Sequence, residues 1–317
     1  MVSREELSKL YKIKSHIVAR DLLTTWFLIF ALLQSTIYTK NLFFLAIIFI
    51  LVGCLQNGLI TWVHEASHKN LCEKKSKNDV IADLLVCGPV GVSVNGYRWH
   101  HVSHHKHLGD PEKEIELTHW LCLKGTNLFL EILKHGTGYY GLQLILRKQR
   151  FSKPNSKFSP PPKWSRCSQI SFFSFNSVLL LLFYIQGSWE NYFIFWVAPL
   201  FTVALLISNF RTIVEHQESG AVCENKSHKM EGFTRLIKTN CLGRFLIAPT
   251  GFYYHYEHHL YPGVPYHRLP ELRKLLEEKN YYSQKNISFE KGYLLTIWKL
   301  AFKNRYGAKI LNPFFIP

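Results

Sequence analysis

The sequence has no C-x-x-C pair. Its 7 cysteines (Cys54, Cys72, Cys87, Cys122, Cys167, Cys223 and Cys241) are odd in number and scattered, so free thiols are expected and disulfides are not. Acidic residues are scarce, 22 against 38 Lys and Arg, which leaves a formal charge of +16. No nucleic-acid-binding motif accompanies that excess, so no nucleic-acid partner is expected. Charge of either sign is nearly missing from four stretches: Leu22–Tyr38, Leu42–Val63, Gln169–Gln186 and Tyr192–Phe210. Each comes close to the roughly 20 residues that cross a bilayer core. A small-residue cleavage site is also lacking near the first run, which follows a charged segment of about 20 residues, so a signal peptide is the weaker reading.

Basic residues are in turn missing from the two short connections between runs, where Lys40 stands alone. Five precede the first run (Arg4, Lys9, Lys12, Lys14 and Arg20), 16 lie between the second and third, and 16 follow the fourth. The positive-inside rule then places both termini and the long central loop in the cytoplasm. Anionic headgroups account for the excess charge. These features predict an all-α integral membrane protein, a single domain over residues 1–317. Four transmembrane helices carry a cytoplasmic helical cap formed by residues 64–168 and 211–317.

Local patterns refine this outline. Leu7, Leu10, Ile13 and Ile17 suggest an amphipathic lead-in along the membrane surface over residues 1–20. Trp26 and Tyr38 are expected to bracket the first span at the interfaces. Gln56 and Asn57 inside the second run should line a cavity or bond between helices. Asp79–Tyr97, apolar but holding Gly88, Pro89, Gly91 and Gly96, reads as interfacial or re-entrant. Asn127–Arg150 suggests an amphipathic surface helix, Phe151–Pro162 a linker, and Thr234–Pro249 a return to the membrane surface. Tyr293–Phe302 is too short to span.

What the chain has in abundance is histidine, 16 in all. His101, His104 and His105 form H-x-x-H-H, and His255, His258 and His259 repeat it. Chance would supply that pattern only about 0.04 times in such a chain. On a helix the i, i+3 and i+4 positions share a face, so three imidazoles should point into one small volume. His64 and His68, in H-E-A-S-H, add two more at i and i+4 directly beyond the second run. His216, in N-F-R-T-I-V-E-H, stands about one turn beyond the fourth. H-E-A-S-H also matches a zinc metalloprotease signature with Glu65 as general base. Seven further well-spaced histidines exceed what one zinc uses, and Glu65 and Glu257 fit better as groups that orient ligand imidazoles. A metal transporter would place its ligands near the bilayer midplane, whereas these lie past the helix ends. Nine imidazoles suit two metal ions, and two irons can activate dioxygen.

The whole set resembles the membrane fatty acid desaturase superfamily. H-E-A-S-H is similar to its first histidine box, H-H-V-S-H-H-K-H-L-G-D-P-E to the second, and Y-H-Y-E-H-H-L-Y-P-G-V-P to the third. R-T-I-V-E-H resembles the extra ligand-bearing helix end between the last two. The resemblance covers roughly residues 5–275. It implies a non-haem diiron centre held by His64, His68, His101, His104, His105, His216, His255, His258 and His259, with Asp110 and Glu257 just outside them. Some members carry an Asn one turn before the single histidine; here that position is Thr212. His100, His107, His119, His135, His228 and His267 are not carried over. The implied activity is an O2-dependent desaturation of an acyl lipid or acyl thioester, with a hydroxylase or carotenoid-type ketolase as the alternative within the superfamily. No H-P-G-G haem motif is present. The electrons are therefore expected from a ferredoxin or a cytochrome with its reductase, and the location expected is a bacterial inner membrane.

Overall fold

The computed structural model describes residues 2–108, 125–146, 162–216 and 233–302, the side chains of 125–127 excepted. It is mostly helical, and four helices are long and apolar enough to cross a membrane. These are α2 (Ser15–Tyr38), α3 (Leu42–Ser67), α8 (Arg166–Ile185) and α9 (Glu190–Glu215). The first and second spans are longer than their apolar runs. A short helix, α1 (Arg4–Leu10), opens with a Ser3–Glu6 capping box and ends four residues before α2. The expected lead-in is therefore divided, with Ile17 inside the second helix, and Trp26 sits midway along that helix. There its indole Nε1 donates to the Leu85 carbonyl at 2.9 Å.

The outward faces of the spans stay apolar, with Leu23, Phe27, Phe43, Phe173, Leu181 and Ile185 exposed. Ile29, Leu33, Val52, Leu59, Trp62 and Trp196 fill the bundle between them. Every polar backbone group in a span must bond within its own helix, yet Pro199 cannot donate. The helix adapts through π-helical turns on either side of it, Phe193–Val197 and Leu200–Ala204, as helices do when one hydrogen bond is removed. Inside α3, Gln56 donates to Trp196 O at 2.6 Å and Asn57 to Ile247 O at 3.0 Å. Both amides thus tie α3 to neighbouring segments.

Asp79–Tyr97 lies across a sharp bend. The helix α4 (Lys75–Ala82) runs on through tighter and wider turns to Val90, and then meets α5 (Val94–His107) at 93°. Gly91 makes the corner at φ +78°, where a side chain would be strained. The expected surface helix is two helices, α6 (Gly125–Gly136) and α7 (Tyr139–Leu146), parted at Gly138. Residues 147–161, which hold most of the expected linker, lie outside the described residues.

The all-α expectation needs one correction. Strands β1 (Leu236–Lys238) and β2 (Phe289–Lys291) pair in parallel, Leu236 opposite Phe289. They stitch the chain after His216 to the C-terminal region. Between them lie α10 (His255–Leu260) and α11 (Leu269–Glu278), and α12 (Tyr293–Phe302) follows. Leu236, Tyr256, Leu272, Leu276 and Tyr282 form a second apolar core under α10. The segment expected at the membrane surface holds β1 and a π-helical turn, Gly243–Ile247, with Leu242 and Phe245 exposed. The cysteines at 54, 72, 87, 167 and 241 are free thiols; Cys122 and Cys223 lie outside the described residues.

Candidate metal centre

Four elements bring the histidines together. Helix α3 has no breaker between its apolar run and His64, so the rigid span itself carries the first pair. Its last carbonyls are held from outside. Asn78 Nδ2 donates to Ala66 O at 2.9 Å, and Arg98 donates to Ser67 O at 2.7 Å and Ala66 O at 3.1 Å. Arg98 is itself fixed by a two-pronged pair with Asp79, at 2.6 and 2.8 Å. Satisfying a helix C-terminus in this way steadies its last turn, and His68 stands there. Helix α5 starts on two caps, Ser93 Oγ accepting from Gly96 N at 3.2 Å and Asp83 Oδ1 from Val94 N at 2.9 Å. It then presents His101, His104 and His105.

His216 is different. It follows the last residue of α9 in extended conformation, φ −107° and ψ 148°. Arg235 holds that end by donating to the carbonyls of Ile213, Val214 and His216 at 2.9, 3.0 and 2.6 Å. The short helix α10 carries His255, His258 and His259, resting on the Leu272–Leu276 side of α11.

All nine expected ligands gather, but not as two single-volume triads. They form one group of His64, His68, His101, His105 and His258, and another of His104, His216, His255 and His259, with the ligand nitrogens of each group within 4.8 Å of one another. Each i, i+4 pair stays together (64/68, 101/105, 255/259), while the i+3 residue crosses to the other group. The cause is helical: i+4 lies about 40° from i around the axis and i+3 about 60° to the other side. Two neighbouring groups therefore divide each triad.

The chemistry of the donors fits metal ions. His255 Nε2 lies 2.9 Å from His216 Nε2 and 3.0 Å from His259 Nε2, and His105 Nε2 lies 3.0 Å from His101 Nε2 and 3.1 Å from His258 Nε2. One ring proton cannot bridge two neighbours, so these lone pairs converge without protons enough to pair them. Two nitrogens about 2.1 Å from one ion at a right angle would lie about 3.0 Å apart. His64 Nε2 and His68 Nε2 are buried with no hydrogen-bond partner. Burial, with Arg98 and His104 nearby, pushes the His68 pKa down to about 3. Burial and neighbouring imidazoles likewise hold His258 and His259 well below the usual range. Neutral imidazole is the form that binds a metal.

Around this set, Glu65 Oε1 lies 3.4 Å from His64 Nδ1, and its Oε2 accepts from Tyr266 N at 3.1 Å. Glu257 is fully buried, but its carboxylate is taken by Arg273, at 2.7 and 2.8 Å, and by the Tyr282 hydroxyl. Its bonds thus run to α11 and the turn beyond it. Asp110 lies outside the described residues, as do His119 and His228. Thr212 donates to Ser208 O within its own helix at 3.0 Å. Among the other histidines, His135 is buried against Glu131 O and Asn209, both at 2.7 Å, and His267 accepts from Lys14 N at 3.1 Å. His100 is buried and His107 half-buried, and neither falls in either group. Two residues that spacing did not single out stand close to the site, Glu215 and Arg235. Glu215 precedes His216 directly, as Glu65 follows His64, and that Glu–His adjacency was the available signal.

Comparison with known proteins points the same way. The sequence model of the family described as fatty acid desaturase matches residues 41–290. A dihydrorhizobitoxine desaturase from Bradyrhizobium elkanii is 29% identical over 241 residues. That match covers 71% of this chain and 66% of the relative, so the chain spans just under two thirds of the relative's length.

Proposed function

The chain belongs to the fatty acid desaturase family, and we propose that it is a membrane-bound, O2-dependent acyl desaturase working at a pair of iron ions held by its nine histidines. The observation that carries this reading is the sorting of nine imidazoles into adjoining groups of five and four at the end of apolar spanning helices. The reaction converts –CH2–CH2– with O2, two electrons and two protons into –CH=CH– and two waters. An unactivated methylene has no acidic proton, so acid–base groups alone cannot open it. The iron pair, when bound, supplies the oxidising power of O2 for that step.

The rest is work for the chain itself. His64, His68, His101, His105 and His258 would hold one ion, and His104, His216, His255 and His259 the other. Glu65, close to His64 Nδ1, favours the proton on that nitrogen and leaves Nε2 for the ion. With Tyr266 N–H also on its carboxylate, Glu65 is a poor fit for the free general base of a zinc protease. The apolar spans keep water from the substrate chain, and the fixed imidazole frame sets which carbon faces the oxidant. The relative's name is that of a desaturase, which supports hydrogen removal over oxygen insertion. The basic residues on the histidine side suit an acidic ferredoxin or cytochrome as electron donor. The same charge asymmetry supports a cytoplasmic site and cytoplasmic termini, and the bacterial relative supports an inner-membrane location.

Elemental analysis of detergent-purified protein, paired with Mössbauer spectroscopy and lipid profiling of the expressing cells, tests the reading. About two irons per chain and a new unsaturated acyl chain are expected, with the new acyl chain lost in His104→Ala and His258→Ala. One zinc and no iron after iron-replete expression overturns it.

A further inference from the structure

We propose that Glu215 is the positioning carboxylate of the four-histidine group, acting through His255 and itself held by Tyr293; this rests on the metal-centre reading above. Glu215 is the last residue of α9 and only 1% exposed. A carboxylate at a helix C-terminus faces the negative end of the helix dipole, and burying it adds a desolvation cost. Such a placement needs compensating partners, and among the described residues these include three. The hydroxyl of Tyr293, a buried residue of α12, donates to Oε1 at 2.9 Å. Arg211, one turn back on α9, brings Nη1 to 3.8 Å from Oε2. The third is His255, whose Nδ1 lies 4.0 Å from Oε2.

The His255 ring has two nitrogens with separate tasks. Nε2 is committed to the group, 2.9 Å from His216 and 3.0 Å from His259. Nδ1 is buried and has no hydrogen-bond partner, and the Glu215 carboxylate stands 4.0 Å from it. A shift of about 1 Å closes the gap to a hydrogen bond. The ring is also clamped by its face. Phe252 stacks on it at 5.0 Å and 17°, and the Arg211 guanidinium covers Phe252 at 3.5 Å. The same element thus supplies one ligand, His216, and the group that sets the tautomer of another on α10. A carboxylate on the far nitrogen strengthens the imidazole as a donor and fixes its plane. Glu65 beside His64 is the counterpart in the five-histidine group.

The test uses full-length protein loaded with iron and compares wild type with Glu215→Gln, Glu215→Ala and Tyr293→Phe. Glu215→Gln keeps the shape and an acceptor for Tyr293 but removes the charge. Readouts are iron per chain, the rate of iron loss to a chelator, the Mössbauer spectrum and the midpoint potential. Glu215→Gln is expected to release one of the two irons about 10–100-fold more readily. It should alter one iron's spectrum and raise its potential, while the melting temperature stays near wild type. Tyr293→Phe should shift the same signals less, and Glu215→Ala should lose that iron. Wild-type chelation rate, spectrum and potential in Glu215→Gln overturn the proposal. Wild type that binds no iron overturns the metal-centre reading and this assignment with it.

Discussion

The five-histidine and four-histidine groups lie side by side but are built differently. In the first, His64, His101, His105 and His258 are borne by helices and His68 caps one, so two i, i+4 pairs and one crossing residue complete it. In the second, one i, i+4 pair and one crossing residue give three ligands, and the fourth, His216, comes from extended backbone. The placement of His216 depends on Arg235 and on its backbone bridge to Thr234. One group is set by local helical geometry, the other by tertiary contacts. The second group also has no ligand to spare, since four is already the minimum for a closed site.

Removing one ligand from each group gives the largest effect and the most direct break of this comparison. His216→Ala leaves three imidazoles and is expected to bring iron down to about one per chain. His258→Ala leaves four and should retain more metal while still losing activity on the order of 100-fold or more. Equal iron loss in both variants would show that the two groups do not differ in reserve.

Next in size is Glu257→Gln. The sequence pairs Glu257 with the third histidine box just as it pairs Glu65 with the first. The structure gives its carboxylate to Arg273 and Tyr282 instead. Neutralising it leaves a buried guanidinium without its counter-charge, a change that costs about 3 kcal/mol or more. The expected outcome is a clear drop in melting temperature with an unchanged Mössbauer spectrum in the surviving protein. A changed spectrum would make Glu257 a partner of the imidazoles after all.

These residues show what could be read from the chain and why. The four apolar runs mark the spans because lipid demands continuous apolar helix, a local property. The spans begin earlier or end later than the runs because Ser15–Asp21 and His64–Ser67 are polar helix ends, to which hydropathy is blind. The clustered histidines were visible because i, i+3 and i+4 spacing is also local. Their division into five and four was not, since it depends on where α5 and α10 meet. Glu215, Arg235 and Arg273 act across 16 to 78 residues of chain, and no period in the sequence marks such pairs. The short parallel strands 236–238 and 289–291 escaped for the same reason.

Arg235→Met ranks third and sharpens the comparison from the other side. Three carbonyls at the end of α9 would lose their donor, at about 2 kcal/mol in total once water replaces part of it. Iron should leave the four-histidine group faster, with the five-histidine group unaffected. Simultaneous loss from both would mean that the α9 end supports the whole centre.

The smallest expected effect is at Tyr266, which bonds once to the first spanning helix and once to the five-histidine side. Its hydroxyl donates to Asp21 Oδ2 at 2.7 Å, and its backbone N–H donates to Glu65 Oε2 at 3.1 Å. Tyr266→Phe deletes the first bond and leaves the second, because the second belongs to the main chain. The Asp21 carboxylate is partly open to water, which limits the loss to about 1 kcal/mol. Chelator kinetics for the five-histidine iron should match wild type, since Glu65 keeps its backbone donor and its place beside His64. Faster release would show that Glu65 depends on the Tyr266 ring position, and the five-histidine group would then lean on tertiary contacts as heavily as its neighbour.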